Sequence, residues 1–229
     1  MILRRVTQHV REQNWFAVGI DFLIVIVGVF IGIQVSNWNE ARNEAALERA
    51  IIESLERDFR QILSEDNERY LRTIAAPEDL ARLIDAIRAG QEPEMSVGWR
   101  GVEAALLAYA TTPPSPTYDE LLSTGRLSRL SNAELRQQLA EFERSRLNED
   151  GLVTYLVQQS FGSSLYQRVD FDPRYFGLGL SGSYRWDSMI ETLPYLQERV
   201  VYINALANWR QNSHDHAQRI LRILEAEGK

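Results

Sequence analysis

Asp21 is a carboxylate in an unusual place. Residues 16–35 are apolar except for Asp21 and Gln34, in the stretch WFAVGIDFLIVIVGVFIGIQVSNWNE. An ionised side chain at the middle of a bilayer costs about 2.5–3.5 kcal/mol on insertion scales, so such a residue is a functional candidate by default. Asp21 stands only about five residues, or roughly 8 Å, from the Phe16 end. Three readings stay open: snorkelling to the interface or pairing with Arg11, pairing with a partner helix, and proton relay. Gly28 and Gly32 form a GxxxG, which lets two helices approach closely in lipid, and Gln34 adds a side chain able to hydrogen-bond a partner helix.

Further along, the chemistry-bearing residues are sparser. Tyr118, Asp119, Gly125 and Arg126 cluster in the run Thr117-Tyr118-Asp119-Glu120-Leu121-Leu122-Ser123-Thr124-Gly125-Arg126. Thr117 and Glu120 have capping-box spacing, so the cluster reads as a structural corner or an interaction point. Arg210 and His214 stand at i and i+4 on an apolar seam, as ligand residues or as buried polar groups paired with a carboxylate on a neighbouring helix. His214 and His216 are two apart and point away from each other, a poor metal pair. Residues 170–188 mix Phe171, Tyr175, Phe176, Tyr184 and Trp186 with glycines, Arg174 and Arg185, as either a binding loop or a plug over a bundle end. No G-x-S-x-G, H-E-x-x-H or phosphate loop is present, so no catalytic set and no metal or cofactor site is expected.

The elements that position these residues follow from periodicity. Residues 16–35, at about 1.5 Å each, match a roughly 30 Å hydrocarbon core. No small-x-small cleavage site follows, so the run is read as a signal-anchor helix over 15–38. Arg4, Arg5 and Arg11 precede it and only Arg42 and Arg49 follow closely. This predicts a cytoplasmic arm at 1–14 and an exported domain at 39–229, with Trp15 and Trp38 as interfacial belts. Leu47, Ile51, Leu55, Phe59, Ile62, Tyr70 and Ile74 recur at helical spacing, predicting one helix that leaves the membrane as a stalk and runs to Pro77. Pro77 is expected to open a second helix ending at Gly90, and residues 99–110 a third, with Val102, Leu106 and Tyr109 aligned.

Thr111 to Pro116 carries three prolines and breaks the chain. Two capping boxes, Thr117–Glu120 and Ser131–Glu134, then open two helices; Gly125 ends the first, and the second either continues or kinks at Gly151. A last helix from Thr192 to about Glu225 carries Leu196, Val200, Ile203, Ala207, Ala217, Leu221 and Leu224 on one seam. The fold class is all-α: one N-terminal transmembrane helix, a stalk and an extracytoplasmic helical bundle.

Composition limits what this domain does. The chain has 229 residues and a net charge of −7, and residues 36–229 alone carry −8. That balance argues against nucleic acid and against a polybasic hold on lipid headgroups. With no cysteine, disulfides and thiol chemistry are excluded. The expected partners are the lipid bilayer and either a second copy or another membrane protein.

Two stretches carry a family resemblance. Gly19-x-Asp21 through Gly28 to Gln34-Val35-Ser36-Asn37-Trp38-Asn39-Glu40, and the Thr117–Gly125 run of T-Y-D-x-L-x-S-x-G form, together resemble a bacterial family of uncharacterised single-pass membrane proteins. Asp21 stands where glutamate is commoner in that family, and Ser36 where asparagine is expected. The resemblance implies a bacterial inner-membrane location and an exported helical domain. It supplies no catalytic or binding residue. The expected function is therefore a structural, scaffolding or sensing module and not an enzyme. The alternatives are an accessory subunit of a transport or ion-driven complex using Asp21, and a periplasmic ligand-binding sensor.

Overall fold

The computed structural model describes residues 15–106, 111–171 and 182–227, with side chains from Gly19 onward. Its first helix, α1 (Trp15–Glu65), contributes to two compact units, Met1–Ala50 and Ile51–Lys229.

In the first unit, the described apolar side chains of α1 are exposed: Phe22 and Phe30 at 66%, Ile24 at 62%. Leaving a large aliphatic or aromatic side chain in water forgoes about 1.5–3 kcal/mol each, so a band this long needs an apolar surrounding. By length and composition α1 can cross a membrane.

The second unit is predominantly helical. It contains the end of α1, α2 (Asn67–Ala89), α3 (Met95–Leu106), α4 (Pro116–Ser123), α5 (Ala133–Ser160) and α6 (Leu193–Glu227). Two three-residue strands, β1 (Val169–Phe171) and β2 (Gly182–Tyr184), pair antiparallel with Val169 opposite Tyr184. The all-α expectation therefore holds for the bulk of the chain, with one small ribbon that alternation over so few residues does not reveal.

Several boundaries differ from the sequence reading. Burial begins at Leu55, and Leu47, expected on the inward stripe, is 54% exposed. The first helix breaks at Asp66, eleven residues before Pro77, which lies inside α2. Asp66 is drawn into the core by a charged partner described below, and its backbone bends there at φ −96° and ψ −4°. The cap of α4 is Ser115, whose Oγ accepts from Tyr118 N at 3.2 Å, instead of Thr117. Pro116 fills the first helical position, where its missing N–H costs nothing. Likewise Asn132, one residue after the expected Ser131, caps α5 by accepting from Leu135 N at 3.0 Å. The third helix starts at Met95, four residues earlier than read, with Val102 and Leu106 buried; Tyr109 lies outside the described residues. α5 runs unbroken past Gly151, which is exposed and tolerated.

Two apolar cores hold the unit together. Leu55, Phe59, Ile62, Leu135, Leu139, Phe142, Ala217, Ile220 and Leu224 form one, with Phe59 and Phe142 meeting edge to face at 5.0 Å. Leu80, Leu83, Ile87, Val102, Leu156, Leu196, Ile203 and Leu206 belong to the other. At Gly101 a Cβ would come 2.5 Å from Leu83 Cβ, so only glycine lets α3 lie this close to α2. Along α6 the buried positions are 196, 199, 203, 206, 210, 213, 217, 220 and 224, an alternation of three and four. That is the seam of a helix packed against its neighbours along its whole length.

Candidate functional site: a buried charged layer

The seam of α6 carries Arg210 and Ser213 between the two cores, and the facing helices supply their partners. Glu149 on α5 lies one heptad from both Phe142 and Leu156, and Asp66 one heptad from Phe59. All three charged residues are buried: Glu149 is 0% exposed, Arg210 1% and Asp66 6%.

Their hydrogen bonds interlock. Arg210 Nη1 donates to Thr112 Oγ1 at 2.6 Å and to Glu149 Oε2 at 3.1 Å, while Nη2 pairs with Asp66 Oδ2. Glu149 Oε2 also accepts from Thr112 N at 3.0 Å and from Thr112 Oγ1 at 2.9 Å, and Oε1 accepts from Ser213 Oγ. Arg210 Nε and Asp66 Oδ1 are buried without a partner. Two carboxylates thus share one guanidinium. Burial raises the Asp66 pKa above the ordinary carboxylate value, and the Glu149 charge adds to the rise; Arg210 pulls it back only in part. Desolvation outweighs the attraction of Arg210, which is divided between two anions, and the smaller attraction of Arg69.

This arrangement binds three helices and the segment after α3 into one register. The Ser213 hydroxyl is committed to a carboxylate and has no imidazole beside it. None of these residues lines either of the two clefts described for the unit, at α5–α6 and beside Trp186. The layer ties these elements together through its hydrogen bonds and ion pairs.

Arg210 and His214, expected on one seam, part company. His214 is half-buried and stacks on Tyr70 at 3.9 Å between ring centroids, with Nε2 2.9 Å from Gln218 Nε2. Tyr70 OH donates to Gln211 Oε1 at 2.7 Å. Burial lowers the His214 pKa, and Arg210 lowers it further against the pull of Asp215. His216 turns to Gln138 on α5, at 2.7 Å. Among the described residues no group of three or more metal-binding side chains occurs.

The Tyr118 cluster is divided as well. Tyr118 is 3% exposed and packs in the core with Phe59, while Asp119 and Arg126 face solvent. Gly125 adopts φ +68° and turns the chain from α4 into a short 3-10 helix, Arg126–Arg129. Asp58 on α1 holds the corner, its Oδ2 accepting from Ser115 Oγ at 2.8 Å and Thr117 N at 2.9 Å. Burial, with Glu143 and Asp119 nearby, raises the Tyr118 pKa.

In the first unit, Asp21, Gly28, Gly32 and Gln34 are exposed, and a Cβ at either glycine would meet nothing within 4 Å. At about 100° per residue, Asp21, Gly28 and Gly32 share a face, while Gln34 lies roughly 200° round from Gly32. Gln34 therefore does not extend the glycine face. Of the aromatic loop, Phe171, Tyr184, Arg185 and Trp186 are described; Arg174, Tyr175 and Phe176 lie outside the described residues.

A second buried arginine, Arg199 on α6, went unnoticed in the sequence along with Asp66, Thr112, Glu149 and Ser213. The missed signal was the unbroken three-four spacing of α6, which places Arg199, Arg210 and Ser213 on the seam once polar residues are admitted to it. Compared with known proteins, the chain matches no family model, no curated protein and no solved structure.

Proposed function

We propose that this chain is a single-pass inner-membrane protein presenting a helical scaffolding or sensing domain outside the cytoplasm, and not an enzyme. The observation that carries the reading is the exposed apolar face of α1 around its whole circumference, from Ile20 to Val35. A helix apolar on all sides is stable only when surrounded by an apolar phase. The arginines before it favour an N-terminus kept inside, with residues beyond about 40 exported as a stalk and bundle. The resemblance of the Asp21–Glu40 and Thr117–Gly125 runs to a family of single-pass membrane proteins supports the same layout.

Against an enzyme stands the closure of the charged layer. Apart from Arg210 Nε and Asp66 Oδ1, its donors and acceptors are spent on one another, and it lines neither of the two described clefts. For the accessory-subunit reading, Asp21 shares a face with Gly28 and Gly32, where a partner helix would approach and exclude lipid.

Protease added to spheroplasts tests the topology. Degradation of the domain in intact spheroplasts is expected. Protection until the membrane is lysed would place the domain in the cytoplasm and remove the exported role.

A further inference from the structure

Arg199 is a second charged residue on the α6 seam, and unlike Arg210 it forms no ion pair among the described residues, although the Glu198 charge acts on it. It is 3% exposed. Nε donates to Ala105 O at 2.9 Å, and Nη2 to Leu156 O at 2.6 Å and to Ser160 Oγ. Leu156 and Ser160 stand in the last turns of α5, so the guanidinium caps that C-terminus, where carbonyls and the helix dipole favour a cation, and reaches across to α3 at Ala105. The Tyr195 side chain is a further hydrogen-bond partner of the guanidinium. Burial lowers the Arg199 pKa, and Tyr195, Tyr155 and Glu198 offset this only in part.

The side chain lines a cleft of about 250 Å³ between the end of α5 and the start of α6. At about 30 Å³ per water, that volume holds a molecule of roughly eight water equivalents. Its walls are aromatic and polar: Tyr155, Tyr195, Tyr202 and Gln159, with Glu198 beside Arg199. Tyr155 and Tyr202 rings meet at 5.3 Å, and the Arg199 guanidinium lies 5.2 Å from the Tyr195 ring centroid.

We infer that this cleft binds a small zwitterion of amino-acid type, its carboxylate at the Arg199 guanidinium and its ammonium between Glu198 and the tyrosine faces. Arg199 and Glu198 give the cleft one charge of each sign, which a zwitterion matches, and guanidinium–carboxylate hydrogen bonds are among the strong ones. A plain anion would meet Glu198 at the same mouth and be repelled. An ammonium group there gains both that carboxylate and electron-rich rings, which attract cations by about 0.5–2 kcal/mol. The inference concerns the second unit alone and goes beyond the anchoring role proposed above.

Calorimetric titration of the full chain in nanodiscs with the standard L-amino acids tests it. At least one is expected to bind saturably, and the deaminated acid and decarboxylated amine made from it to bind at least ten-fold more weakly. Glu198→Gln, an exposed change outside the core, should weaken the amino acid about ten-fold and leave the deaminated acid unchanged or tighter. Arg199→Lys should weaken both, with the melting temperature recorded to separate lost capping from lost binding. Three results each overturn the inference: no saturable binding by any amino acid, the deaminated acid binding as tightly as its parent, or Glu198→Gln leaving affinity unaltered.

Discussion

Glu149 accepts hydrogen bonds on both carboxylate oxygens while wholly buried, and this decides what a substitution does there. Glu149→Ala removes one anion, leaves Thr112 N and Ser213 Oγ without acceptors, and opens a cavity. Breaking a buried pair in this way costs about 3–5 kcal/mol. For a unit of this size that is a fall in melting temperature on the order of 10 °C. Glu149→Gln keeps an acceptor and should fall less; equal losses would mean that the charge carries the whole effect and the retained acceptor and packing none of it. Asp66 predicts a pH effect of a less usual sign. Its folded pKa lies above the unfolded one, so the folded state holds its proton to higher pH. The stabilising contribution is present below the ordinary carboxylate value and is lost as pH rises through the raised pKa. The melting temperature of wild type minus that of Asp66→Asn should therefore fall as pH rises from about 4; a difference that grows with pH would reverse the assignment. At this scale the sequence was only half legible. Arg210 stood out because it interrupts leucines, whereas Asp66 and Glu149 look like surface acids in helices full of them.

Among the elements, α6 shows why the seam was read imperfectly. Val200, Ala207 and Leu221 were expected inward, yet the structure buries Arg199, Leu206 and Ile220 in the matching turns. A search restricted to apolar residues rotates the stripe away from Arg199 and Ser213, because hydrophobicity is used as a proxy for burial and here fails. Helix existence was legible throughout. Ends were not, since a cap can slide by one or two residues among Ser115, Thr117, Ser131 and Asn132, and neighbours such as Asp58 choose between them. The element whose partner the described chain does not contain is the apolar part of α1. Replacing Gly28 and Gly32 with isoleucine fills the groove that close helix approach needs, so dimer content in a membrane-helix association assay should fall. Replacing Gln34, on another face, should leave it unchanged. If only the Gln34 change lowers association, the helix pairs through the opposite face.

For the molecule as a whole, the two units present different physical problems, the first exposing an apolar band and the second closing on its own two cores and the charged layer between them. A change in the first unit should leave the melting of the second where it was. Asp21 is the position at which this can be tested most sharply. Asp21→Asn keeps shape and hydrogen-bonding capacity while removing the charge, and Asp21→Leu removes both. If the carboxylate only snorkels, both variants insert normally and co-purify with the same proteins from mild detergent, the leucine variant inserting slightly better. If it pairs with another helix on the Gly28–Gly32 face, leucine abolishes co-purification and asparagine weakens it, as expected when one of two hydrogen-bonding functions survives. If it relays protons, asparagine is as damaging as leucine to whatever phenotype deletion produces, even where partner recovery is intact. The position on the glycine face favours pairing. The expected outcome is therefore a graded loss of partner, leucine worse than asparagine, with the domain's melting temperature unmoved; a melting temperature that falls with Asp21→Leu would mean that the span and the bundle are not separate problems.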